Sequence, residues 1–223
     1  EPSHPELLDY LSQSFVENGW SIKQLIRSLV LSSTYRMSSQ ASRASLRDDP
    51  KNTRLQHMPI RRLQAEAIRD TLLAVSGDLD RRLFGPSLEG NGANRRSVYI
   101  RLRRRSMPEF LMTFDMPNAS EPFGRRNVTS GPAQSLALMN GPQTWKAAEQ
   151  WAQRVLSAGD KSFEKRIDLM HRQAFGRGAS EAELRWARGL LADHGIDETA
   201  AVKHHWKGFC HTMLNRKELI YVH

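Results

Sequence analysis

The stretch "GPAQSLALMNGPQTWKAAEQWAQRVL" (residues 131–156) decides how the rest of the chain is read. Pro132 opens a helix that runs through Met139, and Pro142 opens a second whose Trp145, Ala148, Ala152, Val155 and Leu156 fall on one face. Proline fits a first helical turn because its missing N–H is one of the orphan donors there, and steps of three and four residues are those of a helical stripe. The same pattern continues toward the C-terminus. Phe163, Ile167, Met170 and Ala174 mark a helix that Gly176 ends, and Ser180 with Glu183 forms a capping box ahead of Leu184, Ala187, Leu190 and Leu191. Val202, Trp206, Phe209 and Met213 then recur at four, three and four.

On the N-terminal side, Ser3 and Pro5 predict the start of a helix carrying Leu7, Leu8, Leu11 and Phe15, stopped at Asn18-Gly19. Ser21 restarts a helix on which Ile22, Leu25, Ile26, Leu29 and Val30 form a stripe, and the short link predicts an antiparallel hairpin. Residues 38–53 are polar and read as loop. A third helix is predicted from Arg61 to Val75, with Leu63, Ala67, Ile68, Leu72 and Val75 inward, ending at Ser76-Gly77; Leu79 to Asn94 reads as loop. Val98, Ile100 and Leu102 alternate with Tyr99, Arg101 and Arg103, the period of a strand. Ser106 and Pro108 open a short helix through Phe114. The predicted fold is therefore mainly α: an irregular multi-helix array, with at most a short extended or β segment near residues 97–103. It forms a single domain over 1–223, with a sub-division near 141.

With 39% hydrophobic residues, 223 positions are enough to bury a core. Of 33 basic residues only eight are lysine, which favours bidentate contacts to carboxylate, phosphate or sulfate, and a net charge of +9 attracts polyanions. The one cysteine, Cys210, excludes an intramolecular disulfide and a Cys-x-x-Cys pair; its place beside the Trp206–Phe209–Met213 stripe predicts a small buried thiol. The eight histidines include no i, i+4 pair, so no metal site is expected. Signatures of serine hydrolases, NTPases and dinucleotide enzymes are missing, as is any run of eighteen apolar residues. A start at Glu1 in place of Met is expected of a segment cut from a longer protein.

Two constellations carry chemistry. In "RRLQAEAIRD" (residues 61–70), Glu66 and Asp70 sit at i and i+4, a pair suited to acid/base work if burial splits their pKa values. Arg62 and Arg69 suit them equally to structural ion pairs, the preferred reading. In "FDMPNASEPFGRRN" (residues 114–127), Pro117, Pro122 and Gly124 shape a connector with Asp115 at its start and Arg125-Arg126 at its end. These arginines either answer the acids of the third helix as a latch, the preferred reading, or leave an anion site open. Arg103–Arg105, with Arg101 and Tyr99 nearby, suit a solvated basic edge better than a nucleic-acid strip, since aromatic residues are only 8% of the chain.

Six ordered phrases resemble a known family: "SHPELLDYLSQSFVENGWSIKQLIRSLVLSSTYRMSS", "RRLQAEAIRDTLLAVSG", "RRSVYIR", "FDMPN", "RRNVTSGPAQSLALMNGP" and "FCHTMLNRKELIYVH". The family is the planctomycete-type domain of unknown function numbered 1553. The resemblance implies the C-terminal domain of a periplasmic or secreted protein, often one with a cytochrome c domain elsewhere, so any haem belongs to another domain and no cofactor is expected in this one. It carries over onto Arg62, Glu66, Arg69, Asp70, Arg96, Tyr99, Asp115, Arg125, Arg126, Pro132, Gln134 and Asn140. Relatives often have a cysteine shortly before the paired arginines, where this chain has Pro122-Phe123-Gly124, so a role that needs that thiol is not expected of this chain. The expected function is an extracytoplasmic accessory or interaction domain that binds acidic or sulfated polysaccharide, or supports a cytochrome-bearing protein through other domains of its polypeptide. The alternative is a hydrolase with Glu66, Asp70 or Asp115 as catalytic carboxylates and the arginines as an anion clamp. Nucleic-acid binding ranks below both.

Overall fold

The computed structural model describes residues 2–89, 93–118, 120, 122, 124–158, 162–191 and 200–222. They are mainly helical and form two compact units, one ending at Arg61 and the other running from Arg62 to Val222.

In the first unit, helices α1 (Pro5–Glu17) and α2 (Ile22–Leu31) pack as a hairpin. The N-cap of α1 is His4 in place of Ser3, without a side-chain hydrogen bond, and Gly19 and Trp20 turn the chain at φ 67° and 61°. Ser21 caps α2 as expected, its Oγ accepting the Gln24 N–H at 3.3 Å. The loop expected over residues 38–53 contains a further helix, α3 (Arg43–Asp48), capped by Ser42. Six mostly polar residues hold too little periodicity to reveal it. Asp49 closes this segment by accepting the Thr53 N–H and hydroxyl and the Arg54 N–H. Among the described residues, no apolar side chain of this unit is buried.

The second unit holds α4 (Ala65–Ser76), α5 (Glu109–Thr113), α6 (Pro132–Asn140), α7 (Pro142–Leu156), α8 (Phe163–Phe175), α9 (Glu181–Leu191), α10 (Ala200–Leu214) and α11 (Lys217–Ile220). Helix α7 packs on both α4 and α10. Ile68, Leu72 and Val75 of α4, Ala148, Trp151 and Val155 of α7, and Trp206, Phe209 and Met213 of α10 contribute to one core with α8 and α9. Cys210 is buried there, and burial pushes its thiol up even though Arg154 opposes the shift, so it is an inert packing residue. The sub-division expected near 141 falls inside this unit. Helices α6 and α7 pack across Gly141, where a Cβ would lie 2.1 Å from the Ala137 carbonyl oxygen, so only glycine allows this corner.

Three expectations need correction. The third helix begins at Ala65: Arg61–Arg62 is a short strand, β1, paired with β2 (Tyr221–Val222), and Leu63 donates its N–H to Ile220 O at 2.7 Å. That pairing takes Arg62 off the helix and away from an i, i+4 contact with Glu66. In the α7 stripe Ala148, Ala152, Val155 and Leu156 are buried as expected, but the tryptophan that joins them is the fully buried Trp151, while Trp145 is 38% exposed and stacked on His211. Finally, residues 97–103 are not a regular strand. Ser97–Tyr99 is a 3-10 turn, and Ile100 alone of the expected apolar trio is buried, held by the Leu88 N–H to Tyr99 O and the Arg101 N–H to Leu88 O, both at 2.8 Å.

Several arginines, the buried Arg166 and the exposed Arg154 among them, act on carbonyl oxygens. Arg166 donates to Val155 O and Leu156 O at the end of α7, and Arg154 to Val75 O at the end of α4. These carbonyls have no intrahelical partner, and a cation suits the negative end of the helix dipole. A separate ionic lattice joins α9 to α11. Arg177 pairs with Glu183 and Glu218, Arg216 with both glutamates, and Ser180 completes the predicted capping box with Glu183. The Arg177 hydrogen bonds hold both glutamates below the ordinary value of 4.5, against burial, which pushes them up. A depressed carboxyl contributes stability that is complete above its unfolded value and drains as pH falls below it. Thermal melts are therefore expected to lose midpoint as pH drops from about 5 toward 3, and Arg177→Met to lose less over that interval than wild type. An equal acid slope in the variant would remove this lattice from the explanation.

Candidate functional site

Helix α4 brings its two acids and Arg69 against two loops, and each acid meets a different partner. Glu66 accepts from Arg126 Nη1 at 2.7 Å; burial pushes its carboxyl up, but Arg126 outweighs this and leaves it below the usual range. Asp70 accepts the Ser97 N–H and hydroxyl, both at 2.7 Å, with Arg69 at 3.6 Å and the exposed Arg96 at 3.9 Å. Arg69 itself is buried and donates to Ala93 O, Arg95 O and Ser97 Oγ, stapling residues 93–97 to the helix. Burial lowers its pKa while Asp70 opposes that shift.

The connector starts at Asp115, which takes φ 65°, a left-handed backbone that aspartate tolerates better than most residues. Its carboxylate accepts Arg62 Nη2 at 2.5 Å, the Thr129 N–H at 2.8 Å, the Thr129 hydroxyl at 2.7 Å and Gln134 Nε2 at 3.4 Å. Burial pushes this carboxyl up, but the Thr129 and Arg62 hydrogen bonds prevail and hold it low. Arg62 also donates to Phe114 O at 3.2 Å and lies over the Phe114 ring, with its side chain only 3% exposed. The connector is thus tied at both ends, Asp115 to Arg62 and Arg126 to Glu66.

Between these ties lies a polar hollow of about 230 Å³, lined by Met112, Asp115, Met116, Pro117, Asn118, Arg126 and Asn127. Arg125 is exposed and has no partner among the described residues. Asn140 is exposed at the end of α6, Gln134 is buried against Thr129, and the Tyr99 hydroxyl accepts the Phe84 N–H at 2.8 Å. Phe123, in the segment where relatives carry a cysteine, lies outside the described residues. Sequence reasoning missed Thr129, whose two bonds to Asp115 leave no periodic signal. It also missed a second hollow of about 300 Å³, where Arg69, Leu72, Leu73 and Asp78 face Pro142, Lys146 and Ala147.

Among the described residues no three His, Cys, Asp or Glu side chains are grouped as metal ligands, and no helix is long and apolar enough to cross a membrane. Fold and site together define a mainly helical domain in which a loop is latched by two arginine–carboxylate pairs, one to strand β1 and one to helix α4. A family model described as protein of unknown function (DUF1553), PSD1, matches residues 1–191, and the chain belongs to that family. No curated protein and no solved structure matches it.

Proposed function

We propose that this chain is an extracytoplasmic accessory or interaction domain that holds acidic polysaccharide at the latched connector and serves other domains of its polypeptide, a cytochrome-bearing one among them. The observation that carries the reading is the contrast between the acids and Arg125. Every candidate carboxylate has fixed donors, and Glu66 and Asp115 are held ionised by them. A general acid near neutral pH needs a raised pKa, so the hydrolytic alternative has less support. Arg125, next in the chain to Arg126 and Asn127 of the polar hollow, is exposed, and a guanidinium grips carboxylate or sulfate in bidentate fashion. The test is the affinity of the chain for chondroitin sulfate and polygalacturonate across a salt series. Binding is expected to weaken with salt, and Arg125→Ser to weaken it by about tenfold, the order of one charge-assisted hydrogen bond. Binding that ignores both salt and this substitution would rule the reading out.

A further inference from the structure

The loop of residues 80–89 and the arginine-rich segment that follows form a surface that the reading above does not use. Leu83 and Phe84 are 62% and 82% exposed at a turn, and Val98 nearby is 72% exposed. The turn is held firmly in place. Arg95, itself buried, donates to Arg82 O at 2.9 Å, Phe84 O at 2.5 Å and Pro86 O at 3.4 Å, and its guanidinium lies 3.8 Å from the centre of the Tyr99 ring. Tyr99 in turn accepts the Phe84 N–H. Phe84 and Gly85 take φ 62° and 91°, so the backbone is fixed in a conformation that presents the apolar pair outward.

Around it the charge is strongly one-sided. Residues 80–106 contain eight arginines and two acids, a surplus of six out of the net +9 of the whole chain. Asp80 is taken by Arg82, and Glu89 by Arg101 and Arg103. Arg81, Arg104 and Arg105 are exposed and have no partner among the described residues.

We infer that this tip docks on an anionic lipid bilayer, with Leu83, Phe84 and Val98 entering the headgroup–acyl boundary and the surrounding arginines meeting lipid phosphates. The choice of partner follows from combining the two kinds of residue. A soluble polyanion answers the arginines but gives the side chains of Leu83 and Val98 nothing apolar to enter. A bilayer interface offers both, and such docking scales with buried apolar area plus attraction to anionic lipid. The inference is independent of the polysaccharide reading, which rests on Arg125.

The experiment is co-flotation of the chain with mixed phosphatidylglycerol–phosphatidylcholine vesicles and with pure phosphatidylcholine vesicles, at low and high salt. Wild type is expected to float with the mixed vesicles alone at low salt. Phe84→Ser, a change at an exposed position that leaves the melting midpoint unmoved, is expected to lower partitioning by about tenfold or more. Arg104→Ser with Arg105→Ser is expected to lower it by roughly fivefold per arginine. Arg125→Ser is expected to leave flotation unchanged, which separates this test from that of the polysaccharide site. Equal flotation with both vesicle types would overturn the inference. So would flotation insensitive to Phe84→Ser, the mark of a purely electrostatic contact, or failure to float together with tight binding of the same tip to an acidic protein.

Discussion

Asp115→Ala is expected to destabilise the second unit by about 3–5 kcal/mol, the loss that follows when one partner of a buried ion pair is removed. Arg62 would be left almost wholly out of water with its main counter-charge gone; its Nε and Nη1 already have no hydrogen-bond partner, so it has little to fall back on. Two further losses add to this. The Thr129 N–H and hydroxyl lose their acceptor, and alanine is a poorer occupant than aspartate of a backbone at φ 65°. Asp115→Asn keeps the left-handed tolerance and an oxygen for Thr129 but removes the charge facing Arg62, so its loss is expected to be smaller. Chemical denaturation of the three proteins gives the order directly. If alanine and asparagine destabilise equally, charge dominates and the hydrogen bonds from Thr129 contribute little; if neither moves the midpoint, the connector is not latched.

The second large effect separates two tryptophans on one helix. Trp151→Ala is expected to cost about 3–5 kcal/mol, because the side chain is fully buried between packed helices and its removal leaves a cavity that the core cannot close. It would also leave Gln173 Oε1, which accepts the Trp151 indole N–H at 2.9 Å, with Arg154 Nη2 at 3.0 Å as its remaining donor. Trp145→Ala is expected to cost about 1 kcal/mol, the order of one aromatic contact, since it loses its stack on His211 at a half-exposed edge. Urea unfolding of both variants checks the pair. Reversed magnitudes would restore the stripe read from the sequence, in which Trp145 faced inward.

These two variants also mark where the sequence was informative. Helix positions in the second unit were legible because their causes are local: Pro132 and Pro142 at helix starts, Ser180 with Glu183 at a capping box, Gly77 and Gly176 at helix ends. The helical face of α7 was less legible. Several apolar residues lie within one turn of each other, and which of two tryptophans faces inward depends on how α4 and α10 approach. The strand period read over residues 97–103 is kept only in isolated bridges, for a related reason. Alternation describes a segment that has a partner along its length, whereas here Ile100 pairs with Leu88 and Arg103 with Ser106, and the Ser97–Tyr99 turn puts Val98 in solvent.

For the candidate site, residue types and the idea of a latch could be read in advance, but the pairing could not. Arg62 was assigned by spacing to Glu66, and a two-residue strand moved it to Asp115, 53 positions away. Arg69 was expected to answer an acid, yet its main partners are the backbone oxygens of residues 93 and 95 and the hydroxyl of Ser97. By itself the sequence determined which segments become helices, where most of them begin and end, and that an arginine-rich chain must find many acceptors. Only the tertiary structure decided which acceptors those are. A helix start is set by hydrogen bonds among neighbours in the chain, but a buried guanidinium takes whatever oxygen, carboxylate or carbonyl, the packing of distant elements brings within reach.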